Sequence, residues 1–100
     1  MPPRKTNNWC VYILSNRSHT LYVGSTNDVL RRFAEHTGKR KSKSFTARYV
    51  FDRIVYYEFV DDEQAARERE LEIKGWTRKR KVELIQGVNQ WWHDLSRLLG

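Results

Sequence analysis

Five side chains in this sequence carry groups that could do chemistry together: the phenols of Tyr12 and Tyr22, the guanidinium of Arg32, the imidazole of His36 and the carboxylate of Glu70. A phenol or an imidazole can move a proton, a guanidinium fork suits an oxyanion, and a carboxylate suits a hard cation. The spacing is regular: ten residues separate the tyrosines, ten more lead to Arg32, and His36 follows four later. Each group also has an ordinary use. A cross-strand tyrosine pair stabilises a hairpin by roughly 0.2–1 kcal/mol. Arg32 beside Arg31 suits a solvated helix face, His36 suits a helix C-terminus, and Glu70 pairs readily with Lys74 four residues on. The elements that carry these residues decide between the two uses.

A chain of 100 residues, 39% of them apolar, has material for one core and no more. The aromatic share of 13% is too rich in core-forming side chains for a disordered chain. The expectation is a polar N-terminal tail over 1–8 and one domain over 9–100. A single cysteine, Cys10, excludes an intrachain disulfide and any metal site built on cysteine pairs. No run approaches the roughly 18 apolar residues of a spanning helix, and the opening MPPRKTNNW lacks a secretory signal's apolar stretch. A soluble, cytoplasmic protein that does not engage a membrane is expected.

Charge supplies the first positive clue. Residues 1–53 hold 11 Lys and Arg against 3 Asp and Glu, whereas residues 54–100 hold 8 against 9, so the front half carries all of the net +7. A basic half-domain implies a polyanionic partner, and nucleic acid fits better than a membrane because no long helix combines a bulky apolar face with a Lys-rich one.

The elements follow from the patterning. WCVYIL and TLYVGS, separated by SNRSH, form a β-hairpin. A five-residue loop from Ser15 to His19 would pair Leu14 with Thr20, Ile13 with Leu21 and Tyr12 with Tyr22, with both tyrosines on one face. After Gly24, STND caps a short helix beginning near Asn27 or Asp28, on which Val29 and Phe33 face the sheet while Arg32 and His36 share a neighbouring face. TGKRKSKSFTARY is a basic loop in which Phe45 and Tyr49 suit base stacking. RIVYYEFV is a third strand, with Ile54, Tyr56 and Glu58 on one side and Val55, Tyr57 and Phe59 on the other. Asp61 or Asp62 caps a helix whose packed side holds Ala66 and Ile73, with Glu70 at its edge, about 40° from Ala66. TRKRKVELIQG is another short helix, and NQWWHDLSRLLG a C-terminal one. The fold class is α+β: a small mixed three-stranded sheet in ββαβ order, flanked by helices, with additional C-terminal helices.

These residues resemble the GIY-YIG nuclease superfamily. The signature halves stand as Cys10-Val11-Tyr12 and Tyr22-Val23-Gly24, followed by Arg32 and His36 on one helix and Glu70 on another. The loop KSFTARY, the strand VYYE and the run from IKGW through WWHDLS keep the order of the small stand-alone bacterial members, so the resemblance spans roughly residues 8–96. Two positions depart from the wider pattern. Cys10 stands where glycine is usual, and Ser25 stands where the domain of the excision-repair nuclease subunit has a lysine.

The resemblance implies hydrolysis of DNA phosphodiester bonds with one divalent metal, Mg²⁺ or else Mn²⁺. Such hydrolysis needs a base for water, a Lewis acid on the phosphate and a donor for developing charge. By the resemblance Tyr12 and Tyr22 hold the water and the scissile phosphate, one of them as general base, with Tyr22 favoured over Tyr12; Arg32 contacts the phosphate, and Glu70 is the metal's sole protein ligand. His36 would orient the phosphate, assist the base or protonate the leaving group. Arg31, Lys39, Arg40, Lys41, Lys43, Phe45, Arg48 and Asn89 are the candidate nucleic-acid contacts. So small a domain has few contacts with which to read bases, so cutting is expected to be structure-selective or weakly sequence-specific, on duplex, single-stranded, flap or branched DNA. DNA repair, recombination or processing are the settings implied, with a monomer, a weak dimer or a protein partner all compatible. The alternative is a non-catalytic module gripping nucleic acid through the same basic face.

Overall fold

The computed structural model describes residues 8–38 and 51–99, and of residues 36–38 the backbone only. Its elements are β1 (Cys10–Ser15), β2 (Leu21–Thr26), α1 (Val29–Gly38), β3 (Arg53–Phe59), α2 (Glu63–Lys74), α3 (Arg78–Val88) and α4 (Ser96–Leu99). This is the expected α+β class in ββαβ order. The strands lie in the order β2-β1-β3. Both pairings are antiparallel, so the sheet is not mixed. The hairpin reverses the chain from β1 to β2, and the passage through α1 brings β3 back along the other side of β1. Strands β2 and β3 therefore point the same way without touching.

All six residues of β1 are buried. A central strand covered on both faces needs a continuous apolar run, which WCVYIL supplies. Val11 and Ile13 join Val55, Ala66, Ile73, Ile85 and Trp92 in a cluster on the α2 and α3 side. Cys10, Tyr12 and Leu14 join Val29, Phe51 and Ile54 on the α1 side, with Phe33 packed against them.

The hairpin register differs from expectation. Ser15 pairs with Leu21, Leu14 with Tyr22, Ile13 with Val23 and Tyr12 with Gly24, a slide of two residues. Asn16 is responsible: its Oδ1 accepts from the backbone N–H of Ser18 (3.0 Å) and of Thr20 (3.1 Å), and its carbonyl accepts from His19 N–H. His19 sits at φ 60. The loop therefore runs from Asn16 to Thr20, one residue later on each side. A slide of two preserves facing, so Tyr12 and Tyr22 still share a face as diagonal neighbours, with ring centroids 6.4 Å apart.

Strand β3 breaks the expected alternation. Ile13 pairs with Tyr56 but Leu14 with Ile54, which leaves Val55 as the extra residue of a β-bulge. Ile54 therefore packs on the α1 side, while Val55 and Tyr56 both pack on the α2 side.

Asp62 caps α2, its side chain accepting from Ala65 N–H at 2.8 Å, and Thr77 caps α3 in the same way through Arg80 N–H. The C-terminal helix is confined to Ser96–Leu99. Ahead of it, residues 89–95 form a clasp in which Trp92 sits at φ 59 and stacks on His19, with ring centroids 4.1 Å apart. No helix among the described residues is long and apolar enough to cross a membrane.

Candidate active site

Strand β2 is an edge of the sheet, and beside it the start of α1 and the middle of α2 enclose a cleft of about 290 Å³. Tyr12 and Tyr22 reach it from the sheet, Arg31 and Arg32 from α1, and Arg67 and Glu70 from α2, with Gly24 and Ser25 on its floor.

The position of each side chain has a local cause. Tyr12 lies directly across from Gly24 and over it. A Cβ at residue 24 would sit 2.5 Å from the Tyr12 hydroxyl and 2.6 Å from Cζ, so only glycine admits the ring there. Tyr22 stands between Tyr12 and Phe51, its ring centroid 5.8 Å from that of Phe51. Thr26 and Asp28 end β2 and start α1: Thr26 Oγ1 accepts from Asp28 N–H, and Asp28 Oδ1 accepts from Arg31 N–H. That cap aims the first turn of α1, with its two exposed arginines, at the cleft. Glu35 steadies both, 3.6 Å from Arg32 and 4.0 Å from Arg31.

Glu70 is less exposed than Lys74, at 19% for the side chain. Its Oε1 accepts from the Ser25 hydroxyl, and its Oε2 pairs with Lys74 at 2.5 Å, four residues along α2. Tyr12 is 2% exposed, and this burial holds its phenol well above the ordinary value. The neighbouring Tyr22 and Glu70 push in the same direction, while Arg32 opposes them. The Tyr12 hydroxyl is thus a neutral hydrogen-bond group at physiological pH, with both Arg32 and Glu70 near enough to feel its charge.

Among the described residues no three His, Cys, Asp or Glu side chains converge, and Glu70 is the one carboxylate lining the cleft. A hard divalent ion that keeps several waters suits a polar cleft with one carboxylate. The donor set therefore fits Mg²⁺ or Mn²⁺ on Glu70 and fits no dedicated all-protein cage.

The cleft thus gathers Tyr12, Tyr22, Arg31, Arg32 and Glu70. His36 falls in α1, one turn after Arg32. Lys39, Arg40, Lys41, Lys43, Phe45 and Arg48 lie outside the described residues. Asn89 does not join the site as a nucleic-acid contact. It is 5% exposed, its Nδ2 donates to the carbonyls of Val55 (3.0 Å) and His93 (2.8 Å), and its Oδ1 accepts from His93 N–H. Burial and a committed amide make it a structural clasp. Among the other residues that line the cleft, Arg67 and Ser25 carry polar groups to which the sequence reading assigned no role. Arg67 precedes Glu70 by three residues but lies about 100° from Ala66 around α2, off the packed face, so its one signal was the spacing that puts it beside Glu70. Ser25 carries no such signal, since only the folded hairpin shows that it meets Glu70.

A family model described as the GIY-YIG catalytic domain matches residues 8–83. The chain is 40% identical over 75 residues to a UPF0213 protein of Natronomonas pharaonis, an alignment covering 75% of this chain and 87% of the other. It is 38% identical over 76 residues to a UPF0213 protein of Haloquadratum walsbyi, covering 76% of this chain and 84% of the other. It is also similar to the solution structure of a UPF0213 protein from Bacillus halodurans. That likeness has a TM-score of 0.54 at 28% identity, over 90% of this chain and 95% of that one.

Proposed function

Because the chain belongs to the GIY-YIG family, a nuclease superfamily, we propose that it is a metal-dependent endonuclease hydrolysing DNA phosphodiester bonds. In this reading it is structure-selective or weakly sequence-specific and serves DNA repair, recombination or processing in the cytoplasm, as a monomer or weak dimer. One observation carries the proposal: Tyr12, Tyr22, Arg32 and Glu70, drawn from three parts of the fold, line a single cleft. A hairpin decorated with aromatics gains nothing from a carboxylate brought to the same cleft as two arginines.

In the proposed reaction Tyr22 takes the proton of the attacking water. Arg31, Arg32 and Arg67 line the same cleft and bring positive charge to it. Tyr12, kept neutral by burial, donates a hydrogen bond to the phosphate or to the water. Arg32 holds the phosphate and stabilises the charge that builds on its oxygens as the water oxygen bonds to phosphorus and the ester bond to the leaving oxygen breaks. His36, one helical turn after Arg32, orients the phosphate, assists the base or protonates that leaving oxygen. Glu70 holds the divalent ion, whose chemistry when bound is Lewis-acid polarisation of the phosphate. Arg31 and Arg67 grip flanking phosphates from opposite walls of the cleft.

The test is cleavage of end-labelled single-stranded, duplex, flap and four-way DNA with Mg²⁺, Mn²⁺ or EDTA, beside Glu70→Ala and Tyr22→Phe. Cutting that needs the metal and both side chains is expected, with Tyr22→Phe slower by about 10²–10⁴-fold. Salt-dependent binding with no cutting of any of these DNAs would sink the catalytic reading and leave a binding module.

A further inference from the structure

Both oxygens of the Glu70 carboxylate are occupied, by partners of opposite character. Ser25 is a neutral donor fixed on β2, in register with the buried Val11 of the central strand, and its hydroxyl donates to Oε1. Lys74 is a cation on a four-carbon stem, 47% exposed at the side chain, and its ammonium sits on Oε2. An unrestrained Glu side chain spreads over many rotamers, and pinning one costs conformational entropy. A ligand held at one oxygen has lost most of that freedom before any cation arrives, and a carboxylate that already accepts a hydrogen bond orients its other oxygen toward the cation. The neutral donor restrains without consuming charge. The ammonium does consume it, since it and a divalent ion need the same oxygen. Its exposure makes release to water cheap, and an exposed pair of this kind is weak.

We propose that Ser25 is a positioning residue that sets Glu70 for cation binding through Oε1, and that Lys74 is a tethered placeholder on Oε2 that a divalent cation displaces. This rests on Glu70 being the cation ligand, as proposed above. The two neighbours then have opposite effects on metal affinity, which a shared structural role would not produce.

The experiment is titration of the full chain with Mn²⁺ in the absence of DNA, following free Mn²⁺ by electron paramagnetic resonance, with the fold of each variant verified by circular dichroism. Ser25→Ala is expected to weaken Mn²⁺ binding by about tenfold or more, and Ser25→Thr, which keeps the hydroxyl, to restore it. Lys74→Gln is expected to tighten binding by about two- to fivefold. Lys79→Gln, which removes the same charge from α3, should leave it unchanged. If Glu70→Ala abolishes binding while Ser25→Ala and Lys74→Gln match the parent, the inference is wrong and the ligand assignment stands. Failure of Ser25→Thr to rescue Ser25→Ala, or an equal effect of Lys79→Gln, would also overturn it. If Glu70→Ala binds Mn²⁺ as the parent does, the ligand assignment itself fails and takes the inference with it.

Discussion

Among the described residues, two trios of hydroxyl, carboxylate and cation form against α2. In the cleft, Glu70 accepts from Ser25 and pairs with Lys74. On β3, Glu58 accepts from the Tyr56 hydroxyl at 2.5 Å and takes both Nε (3.0 Å) and Nη2 (3.2 Å) of Arg69. Arg69 also reaches Glu72 at 3.0 Å and lies over Trp76, whose ring Arg80 approaches as well, at 4.0 Å. The chemistry of the cation separates the two. A guanidinium fork binds a carboxylate with two parallel bonds and stacks on an aromatic face, so the β3 trio is a closed lock between the strand and α2. An ammonium makes one point contact on a mobile stem, so the cleft trio is open to exchange. Structural fastening and ligand readiness are thus built from the same carboxylate by changing one partner.

Removing each carboxylate in turn separates the two trios. Glu70→Ala should lower cleavage by more than about 100-fold while moving stability by no more than about 0.5 kcal/mol. Glu58→Ala should do the reverse, costing about 1–3 kcal/mol because it leaves Arg69 and Tyr56 without their partner. That is a fall of about 4–8 °C in Tm per kcal/mol, with cleavage retained below the melt. Comparable activity losses in the two variants would erase the distinction. Next in size, Gly24→Ala places a methyl group against the Tyr12 ring and should cost about 1–3 kcal/mol by overpacking, with reduced cleavage even where the variant is fully folded. Normal cleavage by that variant would show that the placement of Tyr12 is not needed.

The smaller effects sharpen the β3 side. Arg69→Lys removes the fork and keeps the charge, so a cost of about 1 kcal/mol in urea unfolding is expected. The Tyr56 phenol is pushed up to about 12, by burial first and then by its bond to Glu58. With the folded value above the unfolded value near 10, its contribution to stability is complete below pH 10 and is lost as pH rises toward 12. The urea midpoint should therefore fall over that range, and Tyr56→Phe should flatten the fall by on the order of 1 kcal/mol. An unchanged slope would place the titration elsewhere.

Much of the fold was legible because it depends on short-range pattern. WCVYIL announced the first strand of a hairpin, and Asp61 or Asp62 announced a helix start. Types and spacing singled out Tyr12, Tyr22, Arg32 and Glu70, and these four share one cleft although they come from both sides of the sheet. What stayed hidden depends on partners far along the chain or on one backbone angle. The Asn16 side chain moved the hairpin register by closing its loop, and the extra Val55 turned Ile54 to the other face. Asn89, a polar residue near the C-terminus, looked available to a phosphate, but its amide is spent on Val55 and His93. Ser25 became informative only once Glu70 lay beside it.

The clasp formed by residues 89–95 bears on assembly. Leu95 N–H donates to the Ile54 carbonyl at 2.8 Å, Asp94 Oδ1 accepts from Ile54 N–H at 3.0 Å, and Asn89 caps the Val55 carbonyl. These are the outward backbone groups that a strand from another molecule would have to use. Over the Ile54–Val55 stretch the sheet is therefore sealed against growth, and the opposite edge, along which a second chain would add edge to edge, is β2. There it would meet the rim of the cleft, so self-association by strand pairing and access to the cleft would compete for the same edge.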